Sequence, residues 1–398
     1  MKKLKSSILF VCIFLTLAAI PFISSCTKAS TDEAKTLKIG AIASLTGPAA
    51  SGQVEMADGY KLAAEWINEQ GGIKINGQQY MIEVIFEDDM SNPSSAAAAA
   101  LKIIQDGAKF IAGPLVPQCN MAMTDVCEEA KVIRMKPNGI GGTAEINSDN
   151  HYQFSCNMNV YNVPHVYNYL QDNYPQVKKV AIVTVDDPGG QPGTEACIKE
   201  AQSRGLEIVF NERYPFGTED FYPILTKALA TNPDAIDLVC GMMWQAQVIK
   251  STRELGFNGP IYTMAPVGDI HVLQNIVGED YAYDLFFPDL DVKSPDMTDM
   301  IKEIGKRVEQ KTKAEFLTAQ VDAWVSLWVL VQGIEAAQSL DTDVVVKAIE
   351  NMQSVDTPLG KGKIGGQDLF GVNHVVRRPI PLSRITNGEV EFIKFIEP

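Results

Sequence analysis

The chain has 398 residues, 46% hydrophobic and 21% charged, a balance that fits a globular protein. Its formal charge of −15 repels phosphate backbones, and no basic cluster interleaved with aromatics stands out, so nucleic acid is excluded as an expected partner.

Chain order begins with Lys2, Lys3 and Lys5 ahead of an apolar run from Ile8 to Ile23, broken only by Thr16 and Pro21. Ile23-Ser24-Ser25-Cys26 closes the run with small residues before a cysteine. This order predicts a secretory signal over residues 1–26, its apolar core being short for a spanning helix of ~20 residues. Small residues directly before a cysteine resemble the lipobox of bacterial lipoproteins, which implies lipidation of Cys26. A plain secreted protein or an uncleaved anchor is the alternative. The expectation is an extracytoplasmic protein on the outer face of the cell membrane or in the periplasm, held by a lipid anchor alone. Residues 27–36 are polar and read as a tether. The signal carries three lysines and no acids, so its loss takes the charge from −15 to −18. About 370 residues remain, which argues for two domains, since single cores stop growing near ~250–300 residues.

A βα rhythm follows. Leu37 to Ser44 reads as a strand, and Val54 to Glu69 as a helix stopped by Gly71-Gly72. Tyr80 to Phe86 alternates into a second strand. Asn92-Pro93-Ser94 caps a helix running to about Gln105. Lys109 to Ala112 is the third strand, Asn120 to Ala130 a helix, and Val132 to Met135 the fourth strand. The pattern restarts with a strand from Lys179 to Val185 and a helix from Gly193 to Arg204. Glu207 to Glu212, Ala235 to Cys240 and Pro260 to Thr263 are further strands; Phe221 to Ala230 and Ala246 to Leu255 are the helices between them. Ala319 to Ala337 is a strong helix and Thr342 to Met352 a second. Ile380 to Ile385 and Val390 to Ile396 form a hairpin around Asn387-Gly388. Two runs of alternating strands and helices predict an α/β protein with two doubly wound, Rossmann-like lobes. Ligands of such sheets bind beyond the carboxyl ends of the strands, in the loops that follow them.

No enzyme signature is present: GxSxG, HExxH and the phosphate loop are all missing. Gly360 to Gly365 satisfies GxGxxG but follows a helix and opens none, so it reads as a hairpin or hinge, and no cofactor is expected. The four histidines are scattered without ligand spacing, and no metal is expected. His271 alone falls near a strand-end loop. Asp88 and Asp89 could do acid–base work but read better as acids closing a strand before a helix N-terminus. Met242, Met243 and Trp244 are either core or the apolar wall of a ligand site. Cys119, Cys127, Cys156, Cys197 and Cys240 cannot all pair within one chain. Cys119 and Cys127 on one helix would sit ~11–12 Å apart, beyond disulfide reach, and the set reads as buried thiols.

Leu37-Lys38-Ile39-Gly40, followed by Leu45-Thr46-Gly47-Pro48-Ala49-Ala50 and Gly52, resembles the solute-binding proteins of branched-chain amino-acid ABC importers. Further matches are Ile67 to Ile73, Ile111-Ala112-Gly113-Pro114, Lys179 to Val183, Asn232-Pro233-Asp234-Ala235, Arg253 to Gly256 and Asp356 to Gly360. The resemblance implies the type I periplasmic-binding fold, its lobes joined by a three-strand hinge. Lobe 1 would comprise 37–156 plus 286–358, and lobe 2 157–285 plus 359–398. It further implies a non-enzymatic monomer that captures a small molecule and docks on membrane permease subunits of an ABC importer. A ligand-sensing receptor signalling to a membrane partner is the alternative. By position, the loop after the third strand places Pro117 and Gln118 at the ligand, and the next loop places Asn138, Gly139 and Ile140 there. Ser51 stands in the first loop, Gly190 takes the place of a second-lobe tyrosine, and Asp269 lies near the expected acid. Asn138, Gln118 and Ser51 would bond the polar end of an amino acid, or of a related carboxylate or amide. Met242, Met243 and Trp244 would pack its apolar end.

Overall fold

The computed structural model describes residues 33–50, 53–143, 145–239 and 242–398, with the backbone alone for Met242 and Met243. The signal, Cys26, most of the tether, Ser51 and Cys240 lie outside the described residues.

The first lobe begins with β1 (Lys35–Ala43), α1 (Met56–Glu69), the short β2 (Ile73–Ile75) and β3 (Gln78–Asp88). α2 (Pro93–Gln105) starts where the Asn92 side chain accepts hydrogen bonds from Ser94 N and Ser95 N, with proline at the first turn. β4 (Phe110–Ala112) leads to α3 (Pro117–Ala122) and α4 (Thr124–Glu129), then β5 (Ile133–Lys136) and β6 (Gln153–Ser155). The single helix expected over 120–130 is thus two, broken at Met123.

The second lobe follows with α5 (Val163–Asn173), β7 (Lys179–Asp186), α6 (Gly190–Ser203), β8 (Glu207–Pro215) and α7 (Tyr222–Ala230). β9 (Ala235–Val239), α8 (Met242–Glu254), β10 (Ile261–Tyr262), α9 (Ile270–Val277) and β11 (Leu285–Phe287) complete its βα run. α8 begins at Met242, so Met242-Met243-Trp244 stands on a helix and not, as the sequence suggests, in a loop.

The chain then returns to the first lobe with α10 (Asp299–Lys311), α11 (Thr318–Ala337) and α12 (Thr342–Glu350). β12 (Val355–Thr357), β13 (Gly360–Gly365), α13 (Gln367–Phe370) and β14 (Val375–Arg377) follow. The final hairpin is β15 (Ile380–Thr386) and β16 (Glu389–Ile396), turning at Asn387 and Gly388, both at positive φ.

Two mixed sheets result. The first runs β12-β13-β14-β6-β5-β4-β1-β3-β2 and the second β16-β15-β11-β10-β9-β7-β8. Each has a parallel centre: β3, β1, β4, β5 and β6 in one, β8, β7, β9, β10 and β11 in the other. Parallel strands bury both faces, and the sequence shows it. Along β7, Ala181, Val183 and Val185 pack in one core while Val180 and Ile182 pack in another. Along β1, Leu37, Ile39 and Ala41 face α1 and α11, whereas Ile42 faces α2. α1 and α11 approach closely because Gly59 carries no Cβ; one there would sit 2.5 Å from Gln320 O.

The tail corrects the expected division of the chain. The expectation hands residues 359–398 to lobe 2, yet β13 pairs with β12 and β14, and β14 pairs with β6 of the first sheet. Only β15 and β16 join the second sheet, through β11. The GxGxxG segment is β13, the hairpin strand its context predicts. The chain therefore passes between sheets three times: after β6, after β11 and between β14 and β15. Cys119, Cys127, Cys156 and Cys197 are free and buried.

Candidate functional site

The strand orders point to one place on each lobe. In the first sheet β1 lies between β3 and β4; in the second β7 lies between β8 and β9. The connections diverge there, which opens a crevice beyond the carboxyl ends of the strands. The loops that follow β1, β3, β4 and β5 therefore face the candidate site from one lobe, and those after β7, β9 and β10 from the other.

On the first lobe the loop after β1 is pinned to the end of β3. Leu45 N donates to Asp88 Oδ1 at 2.9 Å and Thr46 Oγ1 to Asp88 Oδ2 at 2.7 Å. Ser44 Oγ donates to Asp89 Oδ1 at 2.6 Å, and Ala49 N to Ser91 Oγ at 2.9 Å. The adjacent acids are thus latches for a loop. Burial raises the Asp89 carboxyl above the ordinary range despite the bond from Ser44. After β4, Pro117 occupies the first turn of α3 and Gln118 is half-buried, its Oε1 without a hydrogen-bond partner.

The loop after β5 is built around an internal carboxylate. Lys136 and Glu145 form a fully buried ion pair. The other oxygen of Glu145 accepts from Ile140 N at 3.1 Å and Gly141 N at 3.2 Å. Gly139 is enclosed, and a Cβ there would run into Met158. Asn138 is buried with its Oδ1 unpartnered. Ile140 reaches the second lobe: a Cβ at Gly189 would lie 2.5 Å from Ile140 Cδ1, and it joins the core formed by α5, α6 and β7.

On the second lobe, Asp187 Oδ1 accepts from Gly189 N at 2.9 Å and Gly190 N at 2.7 Å, opening α6. Burial raises the Asp187 carboxyl. Asp269 caps α9, accepting from His271 N at 2.9 Å and Val272 N at 3.0 Å. It is 5% exposed, its Oδ2 has no partner, and burial raises its pKa. His271 pairs through Nε2 with Asp291 at 2.7 Å. Trp244 packs edge-on against Phe216 at 4.8 Å and within 6.3 Å of Tyr214, inside the second lobe's core.

A cavity of about 460 Å³ lies between the lobes, within the range of small-molecule sites. Ala50, Val54 and Glu55 line it from the loop before α1, with Glu315, Leu317 and Ala319 before and on α11. Val267, Asp269, Val272 and Ile276 line it from the second lobe. Asp269 is the one sequence-expected ligand residue on this lining among the described residues. Pro117, Gln118, Asn138, Gly139, Ile140 and Gly190 gather at the strand ends instead, and the side chains of Met242 and Met243 are not described. Sequence reasoning missed Val54, Glu55, Val272 and Ile276; of these only Val272, an apolar side chain on the first turn of a helix after a strand-end loop, carried a local signal.

The crossings behind the cavity carry buried charge. Arg378 Nη2 donates to Asp322 Oδ1 at 3.1 Å, and Asp289 Oδ2 accepts from Val267 N at 2.7 Å. Burial, with Asp269 and Asp322 nearby, pushes the Asp289 carboxyl up to about 7. No group of three or more His, Cys, Asp or Glu among the described residues is arranged to hold a metal, and no helix among them is long and apolar enough to cross a membrane.

Comparison with known proteins agrees with this architecture. A Leu/Ile/Val-binding protein from Rhizobium johnstonii is 24% identical over 332 residues, spanning 83% of this chain and 87% of its own. A branched-chain amino acid transporter substrate-binding protein from Streptococcus pneumoniae, solved with isoleucine, superposes with a TM-score of 0.74 at 19% identity, covering 92% of this chain and all of its own. A solute-binding protein of an ABC transporter from R. palustris, solved with 4-hydroxybenzoate, gives 0.75 at 21% identity, over 91% of this chain and 96% of its own. These likenesses establish the two-lobed type I fold. The periplasmic binding protein family model matches residues 36–389, and the chain belongs to that family.

Proposed function

We propose that the protein is a lipid-anchored solute-binding component of an ABC importer, which closes its two lobes over a small amphipathic molecule and presents it to membrane permease subunits. The observation that carries this reading is the cavity of about 460 Å³ lined from both lobes. A ligand there touches both lobes at once, so its binding energy is available to hold them together. The named relatives bind Leu, Ile and Val, isoleucine, or 4-hydroxybenzoate. An amino acid, or a related carboxylate or amide, is the corresponding ligand class here. Lipidation at Cys26 would keep the receptor beside its permease and raise its local concentration there.

A ligand that binds only the folded state stabilises it by about 2.7 kcal/mol at one hundred times its Kd. A thermal-shift screen of the protein against amino acids, aromatic acids and amides therefore identifies the class by the rise in Tm. Small-angle scattering with the best ligand then reports closure as a fall in radius of gyration. A screen without any shift, or binding without compaction, would refute the capture mechanism.

A further inference from the structure

A second cavity, of about 850 Å³, lies between α5, α6 and the turn that carries α13, and its lining shares no residue with the first. Gly366 and Gly371, both at positive φ, fold α13 out of the connection between β13 and β14; a Cβ at Gly366 would lie 2.6 Å from Val372 O. The turn buries Phe370 in a small core with Met158, Tyr161 and Val375, and leaves Leu369 49% exposed on the cavity lining. Val160, Pro188 and Pro192 extend this apolar wall. Apolar side chains gathered in one concavity mark a binding surface, whereas scattered ones do not.

The charged side chains on this lining divide by partner. Asp187 accepts from Gly189 N and Gly190 N, Glu195 from Gln191 Nε2 at 3.0 Å, and Asp368 from Tyr161 OH at 2.7 Å. Glu200 accepts from Arg204 Nε at 2.7 Å. The bases His165, Lys199 and Arg377 make no side-chain hydrogen bond or ion pair among the described residues. They come from separate elements: His165 from α5, Lys199 from α6 and Arg377 from the end of β14. The half-buried Arg377 guanidinium lies 4.3 Å from the centre of the Tyr161 ring, so stacking sets its orientation while its N–H fork stays free. Burial, and then the charges of Arg377, Lys394 and Arg204, hold the His165 imidazole below its ordinary pKa. Water solvates a lone surface base well enough; bases converging from three elements on one walled cavity are placed for a shared counter-charge.

We infer that this cavity is a second binding site, separate from the cleft, for an organic carboxylate: Arg377 grips the carboxylate, His165 and Lys199 stand beside it, and Leu369, Val160 and Pro192 pack its apolar body. A guanidinium meets a carboxylate through two parallel N–H···O bonds, a charge-assisted contact about twice as strong as a neutral one. The acids of the lining do not cancel this attraction. Arg204 neutralises Glu200 and burial raises the Asp187 carboxyl. Glu195 and Asp368 remain, against Arg377, Lys199 and the nearby Lys394. The site is independent of what the cleft captures, since the two linings have no residue in common.

The test uses 4-bromobenzoate, because its bromine is located by anomalous scattering, with 4-bromobenzylamine as a probe of the same body and opposite charge. Crystals soaked with the acid should show bromine between α6 and α13 with the carboxylate on Arg377, and crystals soaked with the amine should not. In isothermal titration, Arg377→Gln should weaken the acid at this site about tenfold or more and leave cleft binding untouched. Arg377→Lys keeps the charge without the fork and should recover only part of the loss. Lys199→Gln, at an exposed position that folding does not depend on, should weaken the acid about twofold. The Tm of each variant checks its folding. Bromine in the cleft alone overturns the second site and leaves capture standing. Bromine at neither place, or a titration that neither Arg377→Gln nor Lys199→Gln changes, also overturns it, and capture is then decided by the screen described above.

Discussion

Glu145→Gln tests whether the loop after β5 is held by its internal ion pair. Glu145 and Lys136 have side chains 0% and 1% exposed, so neither charge has water to fall back on. Replacing the carboxylate by an amide keeps an oxygen that can accept from Ile140 N and Gly141 N but strands the Lys136 ammonium. Breaking a buried pair from one side costs about 3–5 kcal/mol, because the surviving charge is left uncompensated. Lys136→Met by itself strands Glu145 in the same way, although its carboxylate retains two amide donors, so the loss should fall at the lower end of that range. The double variant leaves no orphan charge, since the introduced methionine matches the lysine stem and the introduced glutamine still serves the amides. Its loss should be smaller than the sum of the single losses by about 2–3 kcal/mol, a coupling typical of contacting residues. Urea unfolding of the four proteins measures the cycle. Additive losses within ~0.5 kcal/mol would refute the argument that these two charges stabilise the loop through each other.

Other consequences can be measured on the same protein. Asp237, on β9, is buried with Tyr167 OH donating to it at 2.8 Å, and burial pushes its pKa up to about 7. A raised carboxyl stabilises the fold below its unfolded value near 4, and that stability is lost as pH rises to about 7. Asp237→Asn should therefore flatten the pH dependence of stability between pH 4.5 and 6.5 by about 1.4 kcal/mol per unit, and an unchanged slope in urea melts would count against the assignment. Trp244→Ala should cost about 3–5 kcal/mol as a core truncation, with ligand affinity in the surviving folded protein within about twofold; a large affinity loss at intact stability would make Trp244 a ligand residue. Gly59→Ala should destabilise the first lobe by about 1–3 kcal/mol through overpacking against α11, read as a lower urea midpoint.

The parts of the fold legible in the sequence are those with a clear period and a stop signal. α2 announces itself by Asn92, Pro93 and Gly107, and the final hairpin by Asn387-Gly388 between two alternating runs. β6, β10 and β11 have two or three residues each, too few to establish any period, and only β10 shows in the sequence, between Pro260 and Thr263. α5 carries Pro164, His165 and a run of polar residues, so its apolar stripe of Val163, Val166, Tyr167 and Leu170 is hard to see. α10 buries Ile301, Ile304 and Val308 in the core, with Met300 at its margin and Gly305 under Phe316. The return of β13 and β14 to the first sheet depends on pairing with β6 some two hundred residues earlier, which local pattern cannot encode. In the candidate site, Asp269 is reached only through the family resemblance, which sets an acid near that loop, and its capping of α9 shows only in the structure. Val54 and Ile276 become neighbours on one lining only after two lobes are built and opposed.

The way the strand-end loops are fastened bears on how capture could work. Asp88 and Asp89 pin the loop after β1, Glu145 the loop after β5, Asp187 the start of α6 and Asp269 the start of α9. Apart from Ile140 packing against Gly189 and Gly193, these fastenings lie within single lobes. Loops so tied keep their shape when the lobes separate, since no bond that defines them has to break. In the proposed cycle the motion is therefore confined to the three crossings, where Asp322 holds Arg378 and Asp289 accepts from Val267. Rigid lobes with preset loops lose little conformational entropy on closing, so more of the ligand's contact energy remains for affinity. The loop after β5 spends the donors of Ile140 and Gly141 on Glu145, so a free carboxylate can take them only if that side chain is released. Glu145 is the position where that release is most readily made, because its partner Lys136 is already a buried cation at the carboxyl end of β5. Glu145→Ala should therefore destabilise the protein and, in the fraction that folds, admit free carboxylates such as formate or acetate beside Lys136. That rescue of stability by added carboxylate, absent in the parent protein, would be read as a rise in Tm with concentration.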